Sequence, residues 1–139
     1  MTKWLLDTGP LVAFFDRSDQ HHHWAVQQWA RAPVPLLTCE AVLAEAIYLL
    51  REHAGLKGNK VLALIERKVI AAPFHLEENA GTVSRLMEKY ADQGIQLADA
   101  CLVRLSELQR DCRVFTLDRS DFEIYRRFER QVIPLVAPE

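Results

Sequence analysis

Near its N-terminus the chain reads Trp4-Leu5-Leu6-Asp7-Thr8-Gly9-Pro10. The three apolar residues predict a short strand, and Asp7 ends it. Thr8 and Gly9 are turn residues, and Pro10 suits the first position of a helix, where a backbone N–H has no partner to lose. This opening stretch therefore predicts a strand and a helix with a carboxylate between them.

The same alternation continues to the end of the chain. Further strands are predicted at 36–38, 69–71 and 114–117, with a weak one at 132–133. Helices are predicted at 11–15, 20–30, 40–53, 59–67, 75–90, 96–109 and 121–128. Strands that alternate with helices indicate an α/β fold. We expect a single domain over residues 1–139, with a mainly parallel central sheet of about five strands sandwiched by helices.

Composition limits the classes of function. The chain has 139 residues and a formal net charge of −2, so it is not a polyanion binder as a whole. Nucleic acid would need a local basic patch or a metal ion. Seven arginines in the C-terminal third are balanced by seven acidic residues. The arginines would form an electropositive rim if some of those acids bind metal. Otherwise they belong to a solvated helix surface.

Cysteine content and hydropathy indicate the compartment. The three cysteines, Cys39, Cys101 and Cys112, lack the spacing of metal ligands and suit a core in a reducing compartment. A carboxylate at position 7 comes too early for a signal peptide. No apolar run approaches the roughly 20 residues of a membrane span. We expect a cytoplasmic protein with no membrane contact.

Glu45 is the most informative acidic residue. Its helical neighbours three and four positions away are all apolar or aromatic: Ala41, Val42, Tyr48 and Leu49. We therefore expect Glu45 in the stripe that faces the core, where an unpaired carboxylate costs several kcal/mol. The alternative is a core glutamate paired with an arginine.

Three further aspartates complete the pattern. Asp99 also interrupts an apolar stripe, although capping of its own helix is an alternative because it lies in the first turn. Asp7 and Asp118 end strands, and sites in open parallel sheets form beyond the carboxyl ends of the strands. Acidic side chains that meet there suit a hard divalent cation such as Mg²⁺ or Mn²⁺, which prefers oxygen ligands. Such an ion indicates phosphodiester hydrolysis.

Four blocks resemble PIN-domain nucleases, and the bacterial VapC-type ribonuclease toxins most of all. They are Leu5-Leu6-Asp7-Thr8-Gly9-Pro10-Leu11-Val12-Ala13, Val42-Leu43-Ala44-Glu45-Ala46, Leu97-Ala98-Asp99-Ala100 and Thr116-Leu117-Asp118-Arg119-Ser120-Asp121-Phe122. The resemblance implies a helix-sandwiched parallel sheet, an acidic Mg²⁺ or Mn²⁺ site and endonucleolytic cleavage of RNA. It also implies a homodimer and inhibition by a cognate antitoxin.

The family motifs assign roles to particular residues of this chain. The principal acidic positions, catalytic and metal-ligating, are Asp7, Glu45, Asp99 and Asp118. The accessory positions are Thr8, Thr116 and Asp121. Gln96 stands where many relatives carry an aspartate, which should weaken a second metal site or alter how substrate is positioned. Arg119 is a candidate phosphate contact, although an ordinary surface cation is an equal alternative.

Three functional hypotheses follow. The first is a metal-dependent endoribonuclease that acts as the toxin of a type II toxin–antitoxin pair. The second is a catalytically weak module that binds RNA or protein. The third is a receiver-type phosphoacceptor domain, in which Asp7 or Asp118 would be phosphorylated beside a lysine, and no strand-end lysine occurs at the expected place.

Overall fold

A computed structural model describes residues 1–139. The seven strands are β1 (Lys3–Leu6), β2 (Leu36–Leu37), β3 (Ile70–Ala71), β4 (Cys112–Phe115), β5 (Arg126–Arg127), β6 (Gln131–Val132) and β7 (Leu135–Val136). The seven α-helices are α1 (Thr8–Phe15), α2 (His22–Arg31), α3 (Glu40–Ala54), α4 (Asn59–Glu66), α5 (Leu76–Lys89), α6 (Leu97–Leu108) and α7 (Arg119–Phe122). A short 3₁₀ turn, Ala91–Gln93, joins α5 to α6.

Five of the strands form one parallel sheet in the order β3-β2-β1-β4-β7. The first strand lies at its centre, where Leu5 pairs with Leu37 of β2 on one side and with Val114 of β4 on the other. The predicted α/β class, with a five-stranded parallel sheet between helices, is confirmed. The carboxyl ends of β1 and β4 therefore lie side by side at one edge.

The central strands are buried on both faces. Leu5 and Leu6 are fully buried, as are Val114 and Phe115. This explains why the strands are continuous apolar runs rather than alternating ones, since helices cover both sides of a parallel sheet. All three cysteines are buried and free, as the sequence predicts.

The last part of the chain differs from expectation. The fifth strand of the sheet is β7, whereas the predicted strand at 132–133 begins within β6, which pairs antiparallel with β5. The sheet takes the later segment because the carbonyl of Pro134 accepts the Val114 N–H at 2.8 Å, which sets Leu135 beside Val114. The helix predicted at 121–128 is the single turn α7, and β5 follows it after a short turn.

Two smaller differences from the predicted elements concern β4 and α1, which meet at the carboxyl edge of the sheet. Strand β4 ends at Phe115 rather than at residue 117, although the Thr116 N–H still bonds to the Val136 carbonyl at 3.0 Å. Helix α1 begins directly after Asp7, with Thr8, so the turn predicted at Thr8–Gly9 is the first turn of that helix. No helix combines the length and the apolar character needed to cross a membrane.

Candidate active site

A cavity of about 560 Å³ opens at the carboxyl edge of the sheet. Six carboxylates line it, and neither lysine nor arginine does: Asp7, Asp19, Glu45, Asp99, Asp118 and Asp121. The structure thus brings together the four acidic residues singled out in the sequence, from the residue after β1, from α3 and α6, and from the loop after β4. Because no lysine lines the cavity, the phosphoacceptor hypothesis loses its required cation.

Asp7 lies at the bottom of the site and is only 7% exposed. Its Oδ1 accepts the Thr8 N–H at 2.8 Å, which caps α1, and its Oδ2 accepts the Thr116 hydroxyl at 2.6 Å. Burial raises the pKa of Asp7 to about 7, although both hydrogen bonds oppose the rise. The nearby charges of Asp99 and Glu45 raise that pKa further. An anionic Asp7 is therefore costly until a cation accompanies it.

The two threonines beside Asp7 have different environments. The Thr116 hydroxyl donates to Asp7 and also accepts the Asp118 N–H at 2.9 Å, so it links the first and last acidic residues. The Thr8 hydroxyl is buried and has no hydrogen-bond partner. An unpaired buried hydroxyl is uncommon in folded proteins, so the Thr8 hydroxyl is available to a further hydrogen-bond partner.

Asp99 both caps its helix and lines the cavity. Its Oδ2 accepts the Gln96 N–H at 3.3 Å and the Tyr125 hydroxyl at 3.2 Å. The capping alternative is therefore correct, and it does not remove the carboxylate from the site. Burial raises the pKa of Asp99, and the charges of Asp118 and Glu45 add to the effect.

Asp118 and Asp121 form a pair on the outer side of the cavity. The hydrogen bond between their carboxyl groups raises the pKa of Asp121 to about 6. Asp121 therefore keeps its proton to a higher pH than an isolated aspartate does. The Ser120 hydroxyl lies 3.4 Å from Oδ1 of Asp118.

Glu45 corrects the sequence-based expectation. It is exposed, as is Tyr48 on the same face of α3, while Val42 and Ala46 are buried. Of the stripe that contains Glu45, Val42 is buried in the core, whereas Leu49 lines the open cavity with Glu45. The position of Glu45 at the cavity explains how its carboxylate remains hydrated. None of the ion pairs in the structure includes Glu45, so the alternative of a core glutamate paired with arginine is wrong.

Arg119 does not line the cavity. Its guanidinium donates to the carbonyl oxygens of Ala137 at 3.0 Å and Pro138 at 3.2 Å. These bonds hold the C-terminal segment after β7 against α7. A structural role for Arg119 is thus visible, and a contact with phosphate would have to compete with it.

Sequence reasoning missed two residues of the site. Asp19 lines the cavity from the turn before α2, and its Oδ1 accepts the His21 N–H at 2.8 Å. Tyr125 is fully buried and reaches Asp99 from the turn before β5. No motif or spacing in the sequence marks Tyr125 as part of the site.

The side chains that line the cavity have the chemistry of divalent-cation ligands, but they are not spaced closely enough in this structure to bind one ion together. No three His, Cys, Asp or Glu side chains stand together as ligands of one ion. The lining nevertheless offers hard oxygen donors, a buried aspartate whose charge is uncompensated, and the unpaired hydroxyl of Thr8. Carboxylates without a cation repel one another, so an ion is expected to draw them together.

This fold and this acidic edge define a class of protein. The PIN-domain family model matches residues 4–127, and the chain belongs to that family. Within it, the chain is 30% identical over 127 residues to Ribonuclease VapC26 of Mycobacterium tuberculosis, covering 88% of this chain and 91% of that protein.

Two solved structures share the fold. VapC20 of Mycobacterium tuberculosis, a sarcin–ricin-loop-cleaving toxin, matches with a TM-score of 0.71 and 19% identity over 86% of this chain and 94% of that one. A DNA-bound VapBC from Salmonella typhimurium matches with a TM-score of 0.56 and 18% identity over 99% of this chain and 98% of that one. At these identities, what the two structures show of this chain is its architecture.

Proposed function

We propose that this protein is a Mg²⁺- or Mn²⁺-dependent endoribonuclease and the toxin of a type II toxin–antitoxin pair. The observation that carries the proposal is the meeting of six carboxylates, from distant parts of the chain, in one cavity that contains no cationic side chain. The similarity to Ribonuclease VapC26 supports RNA as the substrate. Asp7, Glu45, Asp99 and Asp118 are the proposed ligands.

The cavity offers few other catalytic groups. No histidine, cysteine or serine lines it, so the lining offers no imidazole base and no serine or cysteine nucleophile. A bound divalent ion would polarise the phosphoryl oxygen and stabilise the leaving oxygen. Hydrolysis then adds water across a P–O bond, with the water oxygen joining phosphorus as the bond to the leaving oxygen breaks.

Each acidic residue has a role that follows from its surroundings. Asp7 is immobilised by Thr116 and the Thr8 N–H, so it is the fixed ligand. Asp99 is oriented by Tyr125 and is the second proposed ligand on the buried side of the cavity. Glu45 is exposed at the cavity mouth and suits the orientation of the attacking water. The unpaired Thr8 hydroxyl is available to a phosphate oxygen, and Asp121 is an accessory acid through its bond to Asp118.

Partners and compartment belong to the same proposal. The VapBC name of one matched structure supports a cognate antitoxin as the partner. A homodimer acting in the cytoplasm is expected from the VapC-type resemblance. Light scattering of the purified protein tests the dimer, and a monomer at micromolar concentration would remove it from the account.

A catalytically weak RNA- or protein-binding module is the second candidate. Gln96 favours it, because this side chain lines the cavity at a position where many relatives place an acid. The two candidates differ in one measurement: cleavage of defined RNAs with Mg²⁺ or Mn²⁺, with and without chelator. The nuclease gives chelator-sensitive products that Asp99→Asn abolishes. Absence of products from the wild type with either ion would favour the binding module.

A further inference from the structure

A second cavity, of about 610 Å³, lies between α5, α6 and the β5–β6 hairpin. Four cationic and two acidic side chains line it, so its formal charge is +2 in a chain whose net charge is −2: Arg85, Lys89, Arg104, Arg130, Glu107 and Glu129. Phe128 also lines it. We call this surface, including Phe128, the basic groove.

Two guanidinium groups in the basic groove have no acidic partner. Arg104 is not one of them, because it forms an ion pair with Glu107 at 3.0 Å and donates a hydrogen bond to Asn79 at 2.8 Å. Arg85, in contrast, bonds only to the Thr82 hydroxyl at 3.3 Å, and the Arg130 side chain makes no hydrogen bond or ion pair. Both Arg85 and Arg130 are exposed. They are therefore free to bind an anion.

The hairpin adds the Phe128 ring to the groove lining at a conformational cost, and the Arg110 and Arg127 guanidinium groups lie 5.1 and 5.8 Å from the centre of that ring. Phe128 and Glu129 have φ of 51° and 69°, a region that non-glycine residues seldom adopt. The backbone is held there from both helices, because Glu107 accepts the Phe128 N–H at 2.6 Å and Lys89 donates to the Glu129 carbonyl at 3.2 Å. Phe128 remains 40% exposed. Strain of this kind is often retained where a side chain serves a function.

The acidic cavity creates a need for such a surface. Six carboxylates without a cationic side chain repel a polyanion, and a bound divalent ion offsets only part of that charge, so positive charge outside the cavity would help to anchor a nucleic-acid substrate. The basic groove is close along the chain: Lys89 lines it, and Gly94 lines the acidic cavity. The buried rings of Tyr90 and Tyr125 pack 5.2 Å apart, and they connect Lys89 of the groove, which precedes Tyr90, to Asp99 of the cavity, which Tyr125 hydrogen-bonds.

From these observations we infer that the basic groove binds single-stranded RNA away from the scissile phosphate. Arg85 and Arg130 contact phosphates, and one base stacks on Phe128. A basic groove with an exposed aromatic ring is the usual platform for single-stranded nucleic acid. The identification of the ligand as RNA rests on the proposed function. The presence and the charge of the groove do not depend on that proposal.

Binding without cleavage tests the inference. The probe is a fluorescein-labelled, mixed-sequence, single-stranded 20-mer RNA, titrated by anisotropy in EDTA at several salt concentrations. The double variant Arg85→Ala/Arg130→Ala is compared with Lys60→Ala/Arg67→Ala, which removes the same charge from exposed positions on and beside α4. Phe128→Leu tests stacking and keeps an apolar side chain.

The groove variant is expected to raise Kd about tenfold and to reduce the slope of log Kd against log salt by about 1.4, the value for two lost phosphate contacts. The control is expected to change Kd by less than about twofold, and Phe128→Leu to raise Kd about fivefold without changing the slope. Equal effects of the groove and control variants would overturn the inference, as would absence of RNA binding by the wild type.

A protein ligand gives a different outcome. If the groove variant binds RNA like the wild type but loses binding to poly-glutamate, the groove is a docking site for an acidic protein and the inference is overturned. A protein that binds the 20-mer through the groove but cleaves no RNA with Mn²⁺ would contradict the proposed function alone. The two proposals therefore fail separately.

Discussion

The Thr116 hydroxyl donates a 2.6 Å hydrogen bond to Oδ2 of Asp7, although the two residues are 109 positions apart. Parallel pairing of β1 with β4 brings them together. Leu6 is opposite Phe115, and Asp7 and Thr116 are the residues that follow this pair in the two strands. The same hydroxyl accepts the N–H of Asp118. The Thr116 side chain thus connects the Asp7 carboxylate to the backbone of Asp118 before any ion binds.

Asp7 should make the chelated protein less stable as pH rises. Its pKa of about 7 in the folded state exceeds the usual 3.8, so the folded state binds more protons between these values. The Asp7 contribution to stability is complete below pH about 4 and is lost as pH rises through 7. Asp7→Asn should therefore be more stable than wild type at pH 8, by a few kcal/mol, with the difference shrinking toward pH 4.5.

Urea unfolding in EDTA across this pH range measures the effect. Asp92→Asn, an exposed aspartate outside the cavity lining, is the control and should follow the wild-type pH dependence. Parallel pH profiles for Asp7→Asn and wild type would show that Asp7 is not a costly buried charge.

Glu45→Gln should separate activity from stability. Because Glu45 is exposed, the substitution should change the free energy of unfolding by less than about 0.5 kcal/mol. Loss of a ligand or of the group that orients water should lower RNA turnover at least about 100-fold. Glu52→Gln, exposed on the same helix, should leave both quantities near wild type. Turnover of Glu45→Gln that matches Glu52→Gln would remove Glu45 from the site.

Tyr125→Phe should act through Asp99. The variant removes the hydroxyl that orients this carboxylate and keeps the buried ring. Groups that orient a ligand typically affect metal affinity or activity 10- to 100-fold, so half-maximal cleavage should require about tenfold more Mn²⁺. Tyr90→Phe is the matched control, because the Tyr90 hydroxyl accepts the Arg126 N–H instead of bonding to an acid. Identical Mn²⁺ dependence in the two variants would exclude a positioning role for Tyr125.

Much of the fold could be predicted from local patterns. The central strands are continuous apolar runs, and Asp7 occurs where β1 meets α1, so the positions of these strands along the chain and their burial follow from the sequence. The C-terminal strands could not be placed this way. Both 132–133 and 135–136 are short apolar pairs, and only the long-range bond from Val114 to the Pro134 carbonyl decides which pair joins the sheet.

The site was predictable where an acid interrupts an apolar stripe, although the reason for Glu45 was different from the expected one. Periodicity identifies a face of α3 that is not ordinary surface, but it cannot distinguish a buried face from one that borders a cavity. Tyr125 and Asp19 were missed because their roles depend on distance in space. Tyr125 also resembles any buried aromatic residue until its hydroxyl is seen beside Asp99.

Crystals of the protein soaked in Mn²⁺ offer the most direct test of whether the carboxylates share a divalent cation. Anomalous scattering then locates the ion without reference to activity. We predict a peak in the cavity, about 2.0–2.2 Å from oxygens of both Asp7 and Asp99, with the side chains drawn inward from their present spacing. A fully soaked crystal with no anomalous peak between these two aspartates would contradict the account.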